Sequence, residues 1–209
     1  MRLVLPFLLL ALACGDNTSP HAGLDASRSE VGSEELGTSV DARVSAEDAA
    51  TDTAVPVPGH CDDGPLEVPI PNCRPAPLPS TGDPAADCVQ RINQFRAECQ
   101  CLPPLQRWVE GESCAAEHAE YDSDGRPAHS GFSDRICENG GRAQNECPSY
   151  RSADSIISTC LQQMWDEGPG EPFIEHGHYI NMTNPAHSRV ACGMFIRDDG
   201  RVWAVQNFR

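Results

Sequence analysis

The sequence predicts an α+β fold, a sandwich in which helices flank a short antiparallel sheet, stapled by disulfides. Three observations predict it. Apolar residues recur at helical spacing in three segments between residues 83 and 167. Two strand-like runs, Arg189 to Ile196 and Val202 to Phe208, close the chain around the hairpin signal Asp198-Asp199-Gly200. Ten cysteines lie beyond residue 60, an even set that reads as up to five bridges in an exported chain.

The elements follow in order. Arg2, the apolar run Leu3 to Leu12 and Ala13-Cys14 form an export signal too short to span a bilayer as a mature helix. Leu10-Ala11-Leu12-Ala13-Cys14 resembles a bacterial lipobox, which makes Cys14 the acylated residue; ordinary cleavage near Ala13 is the alternative. Parity favours acylation: of 11 cysteines, removing Cys14 leaves Cys61, Cys73, Cys88, Cys99, Cys101, Cys114, Cys137, Cys147, Cys160 and Cys192. Residues 15–82 read as a disordered acidic, Pro-rich tether, with no Phe, Trp or Tyr from Gly15 to Gln94. Cys61 and Cys73 either close its last part into a loop or staple it to the domain.

The folded unit is 83–209. Asp83-Pro84 opens a first helix, with Val89, Ile92, Phe95 and Arg96 on one face. Leu102-Pro103-Pro104-Leu105 breaks it. A second helix runs from about Gln106 to Tyr121, with Trp108, Cys114, Ala115 and His118 inward. A loop rich in Gly, Asp, Ser and Arg covers 122–151. A third helix spans Ala153 to Glu167 and ends at Gly168-Pro169-Gly170. Trp108, Trp165 and Trp203 read as packing residues, and His118 as a core-edge histidine.

Composition excludes some partners. All 15 basic residues are arginine, and the net charge is −16. That argues against nucleic acid and against an anionic membrane surface, leaving the acyl chain on Cys14 as the route to a membrane. Localisation is then exported and lipid-anchored, at the bacterial outer membrane or cell surface.

Five pieces in order resemble the CAP superfamily (cysteine-rich secretory proteins, antigen 5, pathogenesis-related 1). They are Asn93-Gln94-Phe95-Arg96; Leu102-Pro103-Pro104-Leu105 with Trp108; Ala128-His129-Ser130; Gly177-His178-Tyr179, read as a turn leading into a strand; and Val190-Ala191-Cys192-Gly193. The resemblance implies a CAP-like α-β-α sandwich over most of 83–209, with a cavity of two histidines and two glutamates. The histidines map to His129 and His178. For one glutamate, Cys137-Glu138-Asn139 fits by spacing, and Gln144-Asn145-Glu146 also fits the slot. For the other, Glu167 lies one residue early after Trp165, and Glu171 is the alternative.

Two neutral imidazoles suit a borderline-soft ion such as Zn²⁺, with His129 and His178 as ligands. Glu138 would then be the candidate base of a metal-dependent hydrolase. The competing readings are a ligand-binding or interaction module, with a lipid, glycan or protein partner, and a structural surface protein with a degraded site. No catalytic nucleophile stands out: Ser130 beside His129 reads as a turn residue. His176 and His178 would share one face if they lay on a strand, but a solvated loop beside Glu175 is the preferred reading of His176.

Overall fold

The computed structural model describes residues 61–209. The predicted signal segment, Cys14 and the tether up to residue 60 lie outside the described residues. Pro84–Gln94 forms α1, capped by Asp83, whose side chain accepts from the amides of Ala85 and Ala86. It runs on as a π-helical turn, Phe95–Cys99. Gln106–Arg107 is a short strand β1, Val109–Ser123 is α2, and Ser130–Asp134 is a five-residue α3. Ala143–Tyr150 is β2. Ala153–Ser155 (α4), a π-helical turn Ile156–Cys160 and Leu161–Asp166 (α5) form one continuous helical rod. Phe173–Thr183 is α6, and Arg189–Ile196 and Val202–Phe208 are β3 and β4.

The sheet has four strands in the order β1-β3-β4-β2. β3 pairs antiparallel with β4, and β4 with β2, while β1 lies parallel to β3. It is therefore mixed and wider than the two-strand hairpin read from the sequence. The expected loop over 122–151 contains α3 and β2. Gly177-His178-Tyr179 lies inside α6, not in a turn leading to a strand.

Strand alternation splits the core in two. Val190 and Cys192 of β3 and Val202, Ala204 and Phe208 of β4 face α1, the α4–α5 rod and α6, in a cluster with Ile92, Phe95, Leu161, Trp165 and Met182. Ala191 and Val205 face α2, packing on Trp108, Ala115 and Ala119. The helices thus form two layers with the sheet between them. Gly193 explains the close approach of α2: a Cβ there would sit 2.1 Å from the Ala116 nitrogen and 2.3 Å from the Ala115 carbonyl carbon.

The motif residues Asn93 and Arg96 are clamps. The Asn93 amide donates to the Leu105 carbonyl and accepts from the Leu105 N–H, both at 2.8 Å. Arg96 donates from Nε to the Pro103 carbonyl (2.9 Å) and from Nη1 to the Met182 carbonyl (2.5 Å). Two helix-turn side chains thus hold the Pro-Pro loop and the end of α6.

All ten expected cysteines form five disulfides: Cys61–Cys101, Cys73–Cys99, Cys88–Cys192, Cys114–Cys137 and Cys147–Cys160. Cys61 and Cys73 do not bridge to each other. Both reach the end of the first helix, so residues 61–82 are stapled to the domain rather than pinched into a separate loop. Backbone bonds from Leu66 N–H to the Gln100 carbonyl and from Ile70 N–H to the Cys99 carbonyl extend that attachment.

Candidate functional site

His129 precedes α3 with φ +66°, a left-handed conformation uncommon for a non-glycine residue. Two groups from β2 hold it there. Its backbone N–H donates to Glu146 Oε2 at 2.7 Å, and its Nδ1 meets Gln144 Oε1 at 2.8 Å. Residues 144 and 146 share one strand face, so both reach the α2 side of the sheet. Glu146 is almost fully buried, and its other oxygen accepts from the indole N–H of Trp203. Burial raises the Glu146 pKa, opposed by the Trp203 and His129 hydrogen bonds, while the nearby Asp122 adds to the rise.

The network continues inward. The Gln144 amide nitrogen donates to His118 Nδ1 (2.9 Å) and to Asn207 Oδ1 (3.1 Å), and the Asn207 amide lies 3.3 Å from the same His118 nitrogen. His118 is fully buried and its pKa is lowered, first by burial. With Nδ1 accepting, His118 carries its proton on Nε2, 3.3 Å from Cys137 Sγ. His118 is therefore part of the site's support rather than a core-edge residue.

The second histidine has a different frame. Glu167 follows α5, where Gly168 turns left-handed (φ +63°) and ends the helix. That unwinding lets the Glu167 carboxylate reach His178: Oε1 accepts from His178 Nδ1 at 2.5 Å, and Oε2 accepts from the backbone N–H of His178 (3.0 Å) and of Tyr179 (3.4 Å). A carboxylate only accepts, so Nδ1 carries the proton and Nε2 is left as the ring's acceptor. The rim around this pair is open, with side chains 35% and 24% exposed.

β2 links the two frames. Asn145, between Gln144 and Glu146, donates to the His178 carbonyl at 3.0 Å and accepts from the Asn181 amide at 2.9 Å. The edge strand thus offers one face to His129 and the other to α6.

Other expected residues fall elsewhere. Glu138 is exposed in the turn after α3 and makes no hydrogen bond or ion pair to either histidine; Gln144, with Glu146, stands against His129 instead. Glu171 is exposed before Pro172 and does not meet His178. His176 lies on α6 two residues from His178, so the rings do not share a face as they would on a strand. Its Nδ1 donates to the carbonyls of Glu167 (2.8 Å) and Gly168 (3.0 Å), closing the end of α5. Ser130 Oγ donates to the Pro127 carbonyl, a turn role. Asn181 is nearly buried and bonded to β2. Sequence reasoning offered Gln144-Asn145-Glu146 only as an alternative and missed Trp203 as the donor to Glu146 and Asn207 as a partner of Gln144; the available signal was the period-two spacing of Gln144 and Glu146.

Among the described residues, the only group of three His, Cys or carboxylate side chains with donor atoms within 4.8 Å of one another is Cys114, His118 and Cys137, whose sulfurs are already bonded together. His129, His178 and a carboxylate do not form such a group. For a zinc ion, the donor chemistry of the two histidines fits: each has Nδ1 engaged and Nε2 left as acceptor.

The profile of the Cysteine-rich secretory protein family (CAP) matches residues 89–208, and the chain belongs to that family. Among solved structures, the chain is similar to one described as "Structure of BmVAL-1", at 18% identity over 66% of this chain and 80% of that one, with a TM-score of 0.44. It is also similar to "Crystal Structure of Na-ASP-1", at 17% identity over 67% of this chain and 42% of that one, TM-score 0.43. No curated protein matches. The five disulfides fit an oxidising, extracytoplasmic compartment.

Proposed function

We propose that this chain is an exported, cell-surface ligand-binding or interaction module, tethered through acylated Cys14 and the residues from 15 to about 60. One observation carries the reading. Both histidines are fixed at Nδ1 by side chains that hold them still, His129 by Gln144 and His178 by Glu167, and among the described residues no serine, threonine or cysteine side chain hydrogen-bonds either ring. That is the build of a rigid recognition surface rather than of a reaction centre. The sites of the family resemblance point to a lipid, glycan or protein ligand.

The metal-dependent hydrolase reading has less support, because Glu138 is exposed and makes no hydrogen bond or ion pair to either histidine among the described residues, and Glu146 is buried under two donated hydrogen bonds. A zinc ion remains compatible as a resident group. His129 and His178 would hold it through Nε2, and it would supply Lewis-acid polarisation of a ligand oxygen.

Calorimetric titration of the disulfide-bonded chain with zinc, beside His129→Ala and His178→Ala, tests the choice. No binding, or equal binding by all three, leaves the metal-free interaction module. Micromolar binding lost in both variants, together with zinc-dependent hydrolysis of ester or peptide probes, overturns it. Anchoring is tested separately: labelled palmitate should enter the expressed chain and be absent from Cys14→Ser.

A further inference from the structure

We propose that the cleft between the C-terminal half of α2 and the β3–β4 hairpin binds a basic peptide segment carrying apolar side chains. The cleft encloses about 670 Å³ and lies apart from both histidines. Its floor is apolar: the Tyr121 ring, Ile136 and Phe195. Ile136 is 36% exposed, a branched side chain left open at the edge of this floor.

The rim is negative. Glu117, Glu120 and Asp198 are exposed, and none of their carboxylates makes a hydrogen bond or ion pair among the described residues. Asp124 and Asp199 add two more carboxylates, against the arginines Arg126 and Arg197. A compact cation without an apolar body would leave the floor wet; an apolar ligand without charge would leave three carboxylates unanswered. An anionic lipid would be repelled.

The protein itself shows how such a cation sits. The Arg126 guanidinium lies 3.9 Å from the centre of the Tyr121 ring and donates to the Tyr121 carbonyl (2.8 Å) and to Asp124 (3.2 Å). Arg197 donates to the Ser123 carbonyl, with Asp199 3.6 Å from its Nε. Two guanidiniums of the chain's own are thus seated against aromatic, carbonyl and carboxylate groups lining one cleft. The three unanswered carboxylates offer the same chemistry to a partner. An extended peptide alternating lysine or arginine with leucine or phenylalanine matches both rim and floor.

The test is fluorescence anisotropy on the full disulfide-bonded chain, with a labelled Lys-Leu-Phe-Lys-Lys-Phe-Leu-Lys peptide and a counterpart in which glutamate replaces each lysine. Micromolar binding of the basic peptide alone is expected, weakening as salt rises from about 20 mM to about 300 mM. The triple variant Glu117→Gln, Glu120→Gln, Asp198→Asn should lose about tenfold in affinity or more. A control triple at distant exposed acids, Glu67→Gln, Glu171→Gln, Glu175→Gln, should change it less than about twofold. Ile136→Ser should weaken the peptide without changing its salt slope. The proposal is overturned if no peptide binds, if the acidic peptide binds as well, if both triples weaken binding equally, or if spermine displaces the peptide at equal concentration. His129→Ala and His178→Ala should leave this binding intact, so its failure and that of the histidine-site reading are distinguishable.

Discussion

His129 and His178 are a matched pair in sequence and an unmatched pair in structure. His178 sits on a helix at an open rim and answers to a carboxylate, Glu167, on the next element back. His129 sits in a left-handed turn and answers to two residues of β2: the buried carboxylate of Glu146, 3.6 Å from its Nδ1, and the Gln144 amide, which passes the interaction to His118 and Asn207 in the interior. Both rings are partly exposed, but one rests on a partly exposed carboxylate and the other on a buried carboxylate and a hydrogen-bond network rooted in the core. The same ring, presented in the same way, therefore rests on supports of very different cost when broken.

The largest effect is expected where the buried network is cut. Gln144→Leu leaves Asn207 Oδ1 without its donor, the His129 ring without its acceptor, and His118 Nδ1 with only the more distant Asn207 amide at 3.3 Å. At about 1–3 kcal/mol for each buried group left unsatisfied, the loss should be about 3 kcal/mol. That corresponds to a fall of about 6–12 °C in Tm for a chain of this size. A thermal melt showing a drop under about 2 °C would mean the network carries no stability. The equivalent cut on the other side, Glu167→Gln, should cost much less.

Next in size is a pH dependence on the His129 side, with two groups of opposite sign. The folded pKa of His118 is lowered from 6.5. Its contribution is therefore complete above pH 6.5 and is lost as pH falls from there through the folded pKa. The folded pKa of Glu146 is raised from 4.5, so its burial as an anion costs stability above the folded pKa, and that cost disappears as pH falls through it towards 4.5. Glu146→Gln removes the second effect only. The parent should gain stability relative to this variant as pH drops from 7 to about 4.5, by denaturant unfolding at each pH. A constant difference across that range would show that Glu146 is not held above its ordinary pKa.

Much of this contrast was hidden in the sequence for a physical reason. α1, the α4–α5 rod, β3 and β4 bury apolar faces, so periodicity exposed them, and the Asp83 cap and Gly168 stop marked their ends. β2 turns polar side chains, Gln144 and Glu146, toward the α2 layer, so Ala143–Tyr150 carries no apolar alternation and reads as loop. With β2 reading as loop, Cys137-Glu138-Asn139 and Gln144-Asn145-Glu146 both fit the slot, and it is Gln144 and Glu146 that stand against His129 in the structure. α6 was concealed by Gly177 inside it and by a His-x-His pattern that suits a strand. Its two histidines instead point to different work, His176 closing α5 and His178 facing the rim. Even-numbered cysteines announced the bridges, but pairing Cys61 and Cys73 with the end of the first helix required the fold.

The smallest effect is also the sharpest probe of the rim. The His178–Glu167 pair is partly exposed on both sides, so solvent screening limits its worth to about 1 kcal/mol or less. Glu167→Gln should therefore leave the melting temperature nearly unchanged while altering the histidine itself. A carboxylate accepts only, which forces the Nδ1–H form of His178; a glutamine can donate as well, so Nδ1 no longer has to carry the proton. Nitrogen NMR of the imidazole should show the parent as Nδ1–H with Nε2 unprotonated, and the variant as a tautomer mixture. The parallel measurement on His129 should respond to Gln144→Leu but not to Glu167→Gln. If Glu167→Gln instead shifted both rings, the two frames would be one coupled unit joined through Asn145, and the division between an electrostatic rim and a buried network would fail.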